Sequence, residues 1–452
     1  MKRTNMLVAF AAFFIFSVSL WVVPEANAVP AFARQTGLAC STCHFQHFPA
    51  LNAFGRAFKA GGYTQIGGQG KIEGEDLSIP DTLNASLVTK VRYQKTNGSD
   101  VSSTTTVNES KLGKNKGELQ FPDEAALFLA GRAGEHIGFV LEAQLKNDAA
   151  MAFANYKMPI VYDVGPVKVS VIPFTTDGGG AAYGFELLNT GAMSMHTTSI
   201  REGNNISAQS FIGVQTEAEG LALVASNDMG FINLSLWGPA HGTVATGFDL
   251  SHYVRVAATP NIGGWDFGIG GQYWGGETKI GDTDNKKYQI AVTHAWAVDA
   301  QAQGDVGLPL GVYLTYGTAE KDKNDSVATC STSITDTAGT TETNLFNNCN
   351  PKAKKAWSVL AELGVLPGKV TLGLGYRSGD NGTAANNKDN ATIAGVTYLV
   401  AQNVQLVLNH AMYSGSAHDK TDAAGALRSG PLSAADGDDA NSLTTLMLFA
   451  AF

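Results

Sequence analysis

From Leu83 to the end of the chain, the sequence is divided into short runs in which apolar residues alternate with small or polar ones. In one such run, alternate positions are occupied by Val370, Leu372, Leu374 and Tyr376. A period of two is typical of strands, because successive side chains in a strand point to opposite faces of the sheet. About sixteen or seventeen such runs follow one another, separated by turns rich in Gly, Asn and Asp. The pattern therefore predicts an all-β protein.

Two all-β architectures are compatible with this alternation, a soluble β-sandwich and a membrane β-barrel. The number of runs exceeds that of one sandwich and suits a transmembrane antiparallel β-barrel of about 16 strands, which we expect to cover residues 81–452. Its last strand, Ser442–Phe452, ends on an aromatic residue, which resembles the assembly signal of bacterial outer-membrane proteins. Tyr and Trp near strand ends would form interfacial girdles in the lipid. These are Trp237, Tyr253, Trp274, Trp296, Tyr313, Tyr376 and Tyr398.

Residues 1–28 have the features of a secretory signal peptide. Lys2 and Arg3 form a positively charged start, Met6–Val23 is mostly apolar, and Ala26-Asn27-Ala28 fits an A-x-A cleavage site. An uncleaved membrane anchor is the alternative, because the apolar run approaches the length of a spanning helix. The small-residue site just past Pro24 favours cleavage after Ala28 and export to an oxidising compartment.

The segment 29–80 contains the pattern for covalent attachment of c-type haem, Cys40-Ser41-Thr42-Cys43-His44. Two thiols three positions apart can both add to the haem vinyl groups, while the next residue presents a neutral imidazole to the iron. We therefore expect one haem c, held by Cys40 and Cys43, with His44 as the proximal ligand. The alternatives are a structural zinc site, which needs two further soft ligands, and a thioredoxin-like pair, which needs a βαβ setting.

Cationic side chains around this motif are candidates for contact with the haem propionates. They are Arg34, Arg56 and Lys59, since cations compensate buried carboxylates. His47 would lie on the same side of a helix as His44, so we expect it to bond a propionate or to be exposed, and not to be the sixth ligand. With only about fifty residues, the segment cannot build a core of its own, and we expect it to plug the barrel lumen.

Thr176–Ile200 lacks the alternation of its neighbours and opens with a glycine cluster. We expect it to fold into the lumen as a short helix or constriction, as wide barrels often require. Met193, Met195 and His196 in this stretch are candidates for the sixth ligand of the haem iron. The alternative is that the methionines are apolar filler and the histidine is an ordinary polar loop residue.

The longest polar loop, Lys321–Lys355, contains Cys330 and Cys349. In an oxidising compartment, two cysteines within one loop predict a local disulfide. A second haem or metal site is the alternative, although no histidine accompanies them. Asp436–Asp439 in another polar loop could bind Ca²⁺ or Mg²⁺ that bridges lipopolysaccharide, or could form a solvated turn.

Composition excludes several other functions. The chain carries a formal net charge of −9 and its charged fraction is only 16%, which argues against nucleic acid and against anionic lipid head groups as partners. The sequence has no Gly-rich phosphate loop, nucleophile elbow or H-E-x-x-H pattern. Nothing in it therefore predicts a substrate-processing enzyme of those classes.

The residues around the haem motif resemble a known family. Arg34-Gln35-Thr36-Gly37, the C-x-x-C-H pattern, Pro49-Ala50-Leu51, Phe54–Lys59 and Gly62-Tyr63 look like the N-terminal module of fused outer-membrane monohaem cytochrome–porins, the iron-oxidising type. The likeness covers Arg34–Tyr63, and the rest of the chain is similar to the family only in length and pattern. This chain has four residues between His44 and Pro49 where the family pattern has three.

The resemblance implies an outer-membrane electron conduit with a possible Fe(II) oxidase activity. In such a conduit, the haem accepts electrons from an extracellular donor, Fe(II) in the first place, and passes them to a periplasmic cytochrome. Outward electron transfer to an external metal uses the same parts and remains open. A diffusion porin with a haem-bearing plug is the other alternative. The barrel would contact outer-membrane lipid, and the sequence does not decide the oligomeric state.

Overall fold

The computed structural model describes residues 30–75, 77–98, 117–145, 151–190, 206–242, 244–282, 287–322, 342–347, 349–418 and 440–452. The predicted signal peptide lies outside the described residues. So do Met193, Met195, His196, Cys330 and Asp436–Asp439. The predictions made for these residues therefore stay predictions.

Helices are few and short in the described part of the chain. They are α1 (Ala31–Thr36), α2 (Cys40–Cys43), α3 (Ala53–Ala60) and α4 (Ala208–Phe211), with 3₁₀ turns at Ala181–Tyr183 and Ser416–His418. Among the described residues, no helix has both the length and the apolar character needed to cross a membrane.

Strands make up most of the remainder. The first twelve are β1 (Lys71–Gly74), β2 (Leu77–Pro80), β3 (Ala85–Thr96), β4 (Glu118–Arg132), β5 (Gly138–Leu145), β6 (Met151–Lys157), β7 (Ile160–Val164), β8 (Val167–Thr176), β9 (Ala218–Asn227), β10 (Gly230–Gly238), β11 (Val244–Thr246) and β12 (Ser251–Ala258). The next twelve are β13 (Asn261–Ile262), β14 (Trp265–Gly275), β15 (Glu277–Asp282), β16 (Lys287–Val292), β17 (Ala295–Asp305), β18 (Pro309–Ala319), β19 (Glu342–Asn344), β20 (Lys354–Leu366), β21 (Val370–Asp380), β22 (Lys388–Ala401), β23 (Val404–Ser414) and β24 (Ser442–Ala451).

Eighteen of these strands close into one barrel, in which β24 pairs with β3. β6 and β7 both pair with β8, and β12 and β13 both pair with β14, so each of these two pairs is a single interrupted wall strand. Pro159 and Pro260 lie at the interruptions, where a residue without an N–H cannot donate to the ladder. The wall thus consists of 16 antiparallel strands, which confirms the predicted barrel.

The outer surface of the wall is apolar, and the inner surface carries many polar side chains. On β10, Leu234 and Leu236 are exposed, while Asn233 and Ser235 between them are fully buried inside the barrel. This distribution is the reverse of that in a soluble protein, and a closed barrel leaves no unpaired strand edge in the lipid. The chain is therefore a β-barrel of the bacterial outer membrane.

The predicted aromatic girdle is partly wrong. Trp237, Tyr253 and Trp274 are each 0% exposed, and Tyr313 is 2% exposed, so these four rings point into the lumen. Trp237 follows the outward Leu236 by one residue and must share the inward face of Ser235. Trp296, at 41% exposure, is on the outer surface as predicted. Tyr376 and Tyr398, which are half-buried, follow the outward-facing Leu374 and Val396 at a spacing of two.

The two ends of the barrel differ in their connections. At one end, which we call the short-turn end, strands are joined by turns such as 228–229 and 263–264, where Gly263 and Gly264 adopt positive φ. At the other, the long-loop end, connections such as 177–217 and 320–353 are much longer. Outer-membrane barrels have short turns on the periplasmic side and long loops outside, which sets the orientation.

Residues 177–190, which we call the inward loop, leave the long-loop end after β8 and fold into the lumen. Every residue from 179 to 190 is buried. Aromatic and aliphatic side chains of this loop, such as Phe185 and Leu188, join a cluster with wall residues including Phe231. The constriction predicted for Thr176–Ile200 is confirmed for the part of it that the structure describes.

Candidate functional site

Residues 30–69, which we call the N-terminal segment, contact the wall near the short-turn end. Gln46 donates from Nε2 to the carbonyl oxygens of Pro309 (3.3 Å) and Glu362 (3.2 Å). Its Oε1 accepts a hydrogen bond from Thr371 Oγ1 at 3.1 Å. These wall residues lie at the start of β18, the end of β20 and the start of β21, which all meet at that end of the barrel. The segment therefore packs against the wall, whereas its predicted role as a plug of the lumen stays a prediction.

His47 is buried against the wall. Its Nε2 lies 3.0 Å from Glu362 Oε1, and its Nδ1 lies 2.9 Å from the Phe48 carbonyl oxygen. Burial lowers the pKa of His47, but the Glu362 carboxylate and the Phe48 carbonyl together outweigh burial, so the pKa of His47 is raised overall. Exposure of His47 is thus ruled out, while its contact with a propionate stays a prediction.

Two further contacts fix the N-terminal segment to the wall. Arg56 Nη2 lies 2.6 Å from Asp266 Oδ1 and 2.7 Å from Asp266 Oδ2. Gln35, which is fully buried, accepts from the Arg132 amide at 2.8 Å and donates to the Tyr63 carbonyl at 2.6 Å. These bonds connect α1 and α3 to the wall strands β4 and β14.

The haem attachment pattern forms a compact turn in front of α3. Cys40–Cys43 is a single helical turn, closed by a bond from the His44 amide to the Cys40 carbonyl at 3.0 Å. Asn52 caps α3 by accepting from the Gly55 amide at 2.9 Å and holds the turn by donating to the Thr42 carbonyl at 2.9 Å. A Cβ on Gly55 would overlap the Cys43 carbonyl oxygen, so this position requires glycine.

The imidazole of His44 has one nitrogen directed at the backbone. Its Nδ1 lies 3.3 Å from the carbonyl oxygen of Ala50. A proton on Nδ1 donates to this carbonyl and leaves Nε2 unprotonated, which is the usual arrangement of a metal-ligating histidine. Burial lowers the pKa of His44 to about 4, so the ring is neutral near pH 7.

The two thiols and their surroundings suit covalent attachment of a porphyrin. Cys40 and Cys43 are unpaired and half-buried, and burial raises the pKa of both thiols. Phe48 and Phe54 beside the turn remain about two-fifths exposed, and the Phe48 ring contacts His44 edge-on at 5.2 Å between centroids. The donor set therefore fits haem c, which when bound supplies one-electron redox chemistry. In the described part of the chain, no group of three or more His, Cys, Asp and Glu side chains is arranged to hold a metal ion.

The three predicted propionate partners lie in different surroundings. Arg34 is exposed on α1. Arg56 is bound to Asp266, but its Nη1 is buried and has no hydrogen-bond partner among the described residues. Burial lowers the pKa of Lys59, and the carboxylate of Glu186 on the inward loop partly offsets this. Arg56 thus retains one free donor for an anionic group, and the role of all three stays a prediction.

The inward loop contacts the N-terminal segment through Asn189. This side chain accepts from the Leu51 amide at 2.8 Å and donates to the Leu51 carbonyl at 2.9 Å. The sequence predicted that the loop enters the lumen but not this contact, because asparagine in a loop has no signature that identifies a distant backbone partner.

A buried ion cluster attaches the inward loop to the wall. Arg255 donates to Glu186 Oε2 at 2.9 Å and to Asp299 Oδ2 at 2.6 Å, and all three residues are buried. Glu186 Oε1 also accepts from the amides of Leu187 and Leu188. None of these three charged residues was predicted from the sequence. Side chains along a wall strand alternate between the lipid and the lumen, and Arg255 and Asp299 occupy lumen-facing positions in that alternation. This pattern is the signal in the sequence that could have identified them.

In the long loop after β18, Cys349 is disulfide-bonded. Its predicted partner Cys330 lies outside the described residues, so the pairing itself stays a prediction. Met193, Met195 and His196 also lie outside, and the sixth ligand is not assigned.

No protein-family model and no curated protein sequence matches the chain. The outer-membrane channel DcaP of Acinetobacter baumannii is similar in structure, with 10% identity and a TM-score of 0.46 over 82% of this chain and 97% of that one. OmpT of Vibrio cholerae and OmpF of Salmonella typhi in complex with daunomycin each have 10% identity and a TM-score of 0.45, over 85% of this chain and 100% of theirs. These are similarities in outline, and the fold assignment rests on the strand pairing of this chain.

Proposed function

We propose that this protein is an outer-membrane electron conduit in which one haem c, held by Cys40 and Cys43, accepts electrons from extracellular Fe(II). The electrons then pass to a periplasmic cytochrome. The observation that carries the proposal is the His44 ring, whose Nδ1 faces the Ala50 carbonyl in the manner of metal-ligating histidines and which directly follows the unpaired thiol of Cys43. The C-x-x-C-H pattern is also part of the sequence by which Arg34–Tyr63 resembles the monohaem cytochrome–porin family.

The location of the segment suits this task. It contacts wall residues near the short-turn end, where a periplasmic electron carrier can approach. An outer-sphere donor such as Fe(II) needs only to reach the haem edge, so no enclosed substrate pocket is required. The net charge of −9 favours the approach of a dication.

Anaerobic mixing with Fe(II) tests the proposal. The purified protein should show the absorption change of haem reduction within seconds near neutral pH, and His44→Ala should remain oxidised. His294→Ala is the matched control, because that ring is partly exposed beside Glu320 at the long-loop end, and its loss should leave the reaction unchanged. If wild-type haem stays oxidised in excess Fe(II), and reduced haem is rapidly reoxidised by ferric oxide, electrons are transferred outward, from the periplasm to an external metal.

A diffusion porin is the second candidate, and the inward charges of the wall favour it. Lys90 and Glu124 form a lumen-facing pair at 2.7 Å, and Asn155 donates to Glu142 at 2.6 Å on neighbouring strands. A wall of this kind can pass small hydrophilic solutes. Conductance in a planar bilayer separates the two functions, because an electron conduit conducts few ions, whereas a porin conducts many even when Cys40 and Cys43 are both changed to Ala.

A further inference from the structure

We infer that Asn189 is a positioning residue for the iron ligand of the proposed haem site, because it fixes the backbone that orients His44. The inference rests on the proposed function for the haem itself. It concerns a residue of the inward loop, 138 positions away from its partner Leu51 in the chain. It therefore connects a loop from the long-loop end of the barrel to the haem.

The side chain of Asn189 forms two hydrogen bonds with the backbone of one residue, Leu51, and we call this contact the clamp. Oδ1 of Asn189 accepts from the Leu51 amide at 2.8 Å, and Nδ2 donates to the Leu51 carbonyl at 2.9 Å. Asn189 is 1% exposed, so water does not replace these bonds readily. A side-chain amide that satisfies both backbone groups of one residue fixes its position and its orientation together.

Leu51 belongs to the short stretch 50–52, which supports the haem attachment turn. His44 and Leu51 face each other in an isolated antiparallel bridge. The Ala50 carbonyl accepts from the Phe45 amide at 2.8 Å and faces His44 Nδ1 at 3.3 Å. On the other side of Leu51, the Asn52 amide donates to the Cys43 carbonyl at 3.0 Å. The clamp thus fixes the stretch 50–52, and the Ala50 carbonyl of this stretch orients the imidazole of His44.

The wall, in turn, holds the clamp. The Asn189 amide donates to Gln301 Oε1 at 2.7 Å, and Thr190 Oγ1 donates to Asp299 Oδ1 at 2.6 Å. Asp299 is bound to Arg255, which also binds Glu186 at the start of the same stretch of loop. Asn189 is therefore positioned by β12 and β17 independently of the N-terminal segment.

This arrangement has a consequence for the redox potential. A firm hydrogen bond from Nδ1–H to a carbonyl raises the basicity of a metal-bound imidazole and favours the oxidised metal. Without the clamp, Ala50 can move away from His44 and the bond weakens. The oxidised haem then loses stabilisation and its reduction potential rises.

Redox titration of Asn189→Ala, followed by absorption, tests the inference. Haem should remain attached, because both cysteines are intact. At a fixed applied potential, the ratio of reduced to oxidised haem should increase about tenfold, equivalent to about 59 mV for a one-electron couple. Asn233→Ala is the matched control, since this equally buried asparagine also bonds the inward loop, at the Phe185 carbonyl (3.1 Å), but in the described part of the chain forms no hydrogen bond with the N-terminal segment. Its potential should equal that of the wild type.

A second pair of variants tests the route through the wall. Gln301→Ala should shift the potential in the same direction by a smaller amount, because it loosens the backbone of Asn189. Combining it with Asn189→Ala should add nothing to the shift of Asn189→Ala alone, since both act through one contact. Equal shifts in Asn189→Ala and Asn233→Ala, or no shift in Asn189→Ala, would overturn the inference.

Failure of the proposed function gives a different result. If the wild-type protein carries no haem, the electron conduit is refuted, and the positioning role toward the iron falls with it. Hydrogen exchange at the Leu51 amide then reports on the clamp alone. Faster exchange in Asn189→Ala than in Asn233→Ala would show that the clamp is a structural contact in solution. Equal exchange in the two variants would refute the clamp as well.

Discussion

Arg56 and Asp266 form a two-bond ion pair between α3 and β14, with Arg56 Nη2 at 2.6 and 2.7 Å from the two carboxylate oxygens. Both side chains are largely withdrawn from water, at 6% and 14% exposure. Removing one partner of a buried pair leaves an uncompensated charge, which typically costs about 3–5 kcal/mol. This pair is therefore one of the buried polar attachments that fix the N-terminal segment to the wall.

The first prediction is that Asp266→Asn detaches the N-terminal segment while the barrel stays folded. Docking should weaken by up to about 3–5 kcal/mol, because the Arg56 guanidinium is left without its counter-charge. Trypsin should then cleave after Arg56 or Lys59 in the folded protein much faster than in the wild type. Asp163→Asn is the control, since its pair with Lys168 is exposed and should contribute less than about 1 kcal/mol. Equal cleavage rates in wild type and Asp266→Asn would refute the prediction.

The second prediction concerns Gly55, where an added Cβ would overlap the Cys43 carbonyl oxygen. Gly55→Ala should push α3 away from the haem attachment turn and cost about 1–3 kcal/mol, the usual range for overpacking. The ratio of haem absorbance to protein should fall. Gly68→Ala is the control, because a Cβ there meets nothing within 4 Å. A normal haem ratio in Gly55→Ala would show that the close approach is not needed for attachment.

The third prediction is that the haem is covalently attached. After denaturing electrophoresis, peroxidase staining should follow the polypeptide, and changing Cys40 and Cys43 to Ala together should abolish it. Changing only one of the two thiols should reduce the stain, because a single thioether can still hold the group. Staining that survives the double change would mean that the thiols do not bind haem.

The barrel was predictable because its signal is local and repeated. Alternation along each strand gives the strand and its two faces, and the number of runs gives the number of strands. Trp237 and Trp274 were predicted on the wrong face because their position near strand ends was given more weight than the alternation of side chains along the strand. Leu236 faces outward, so this alternation predicts that the adjacent Trp237 faces the lumen.

The contacts that build the candidate site were not predictable in the same way. The pairs Arg56–Asp266 and His47–Glu362 join residues 210 and 315 positions apart. Each depends on which strands face the N-terminal segment after closure, and no local pattern contains that information. The haem motif itself was evident because its chemistry fixes its spacing within five residues.

The fourth prediction is that the disulfide of Cys349 is formed with Cys330 and is not needed for the barrel. Mapping of non-reduced peptides should find the two linked, and a maleimide should label them only after reduction. Cys330→Ser should leave heat-modifiable migration unchanged, because the wall closes through strand pairing that does not involve this loop. Loss of heat modifiability in Cys330→Ser would show that the loop is required for folding.

The last prediction concerns Arg255, whose guanidinium holds Glu186 of the inward loop and Asp299 of the wall. In Arg255→Ala, two buried carboxylates face each other without a counter-charge, which favours movement of the inward loop away from the wall by about 3–5 kcal/mol. The lumen widens at this level, so ion conductance in a planar bilayer should rise above that of the wild type.

Arg377→Ala is the matched control, because this buried arginine binds Asp389 and stacks on Phe211, outside the inward loop. Its conductance should stay close to the wild-type value. If Arg255→Ala and the wild type conduct equally, the inward loop is held by its apolar contacts with Phe231 and its neighbours, and the ion cluster only compensates charge.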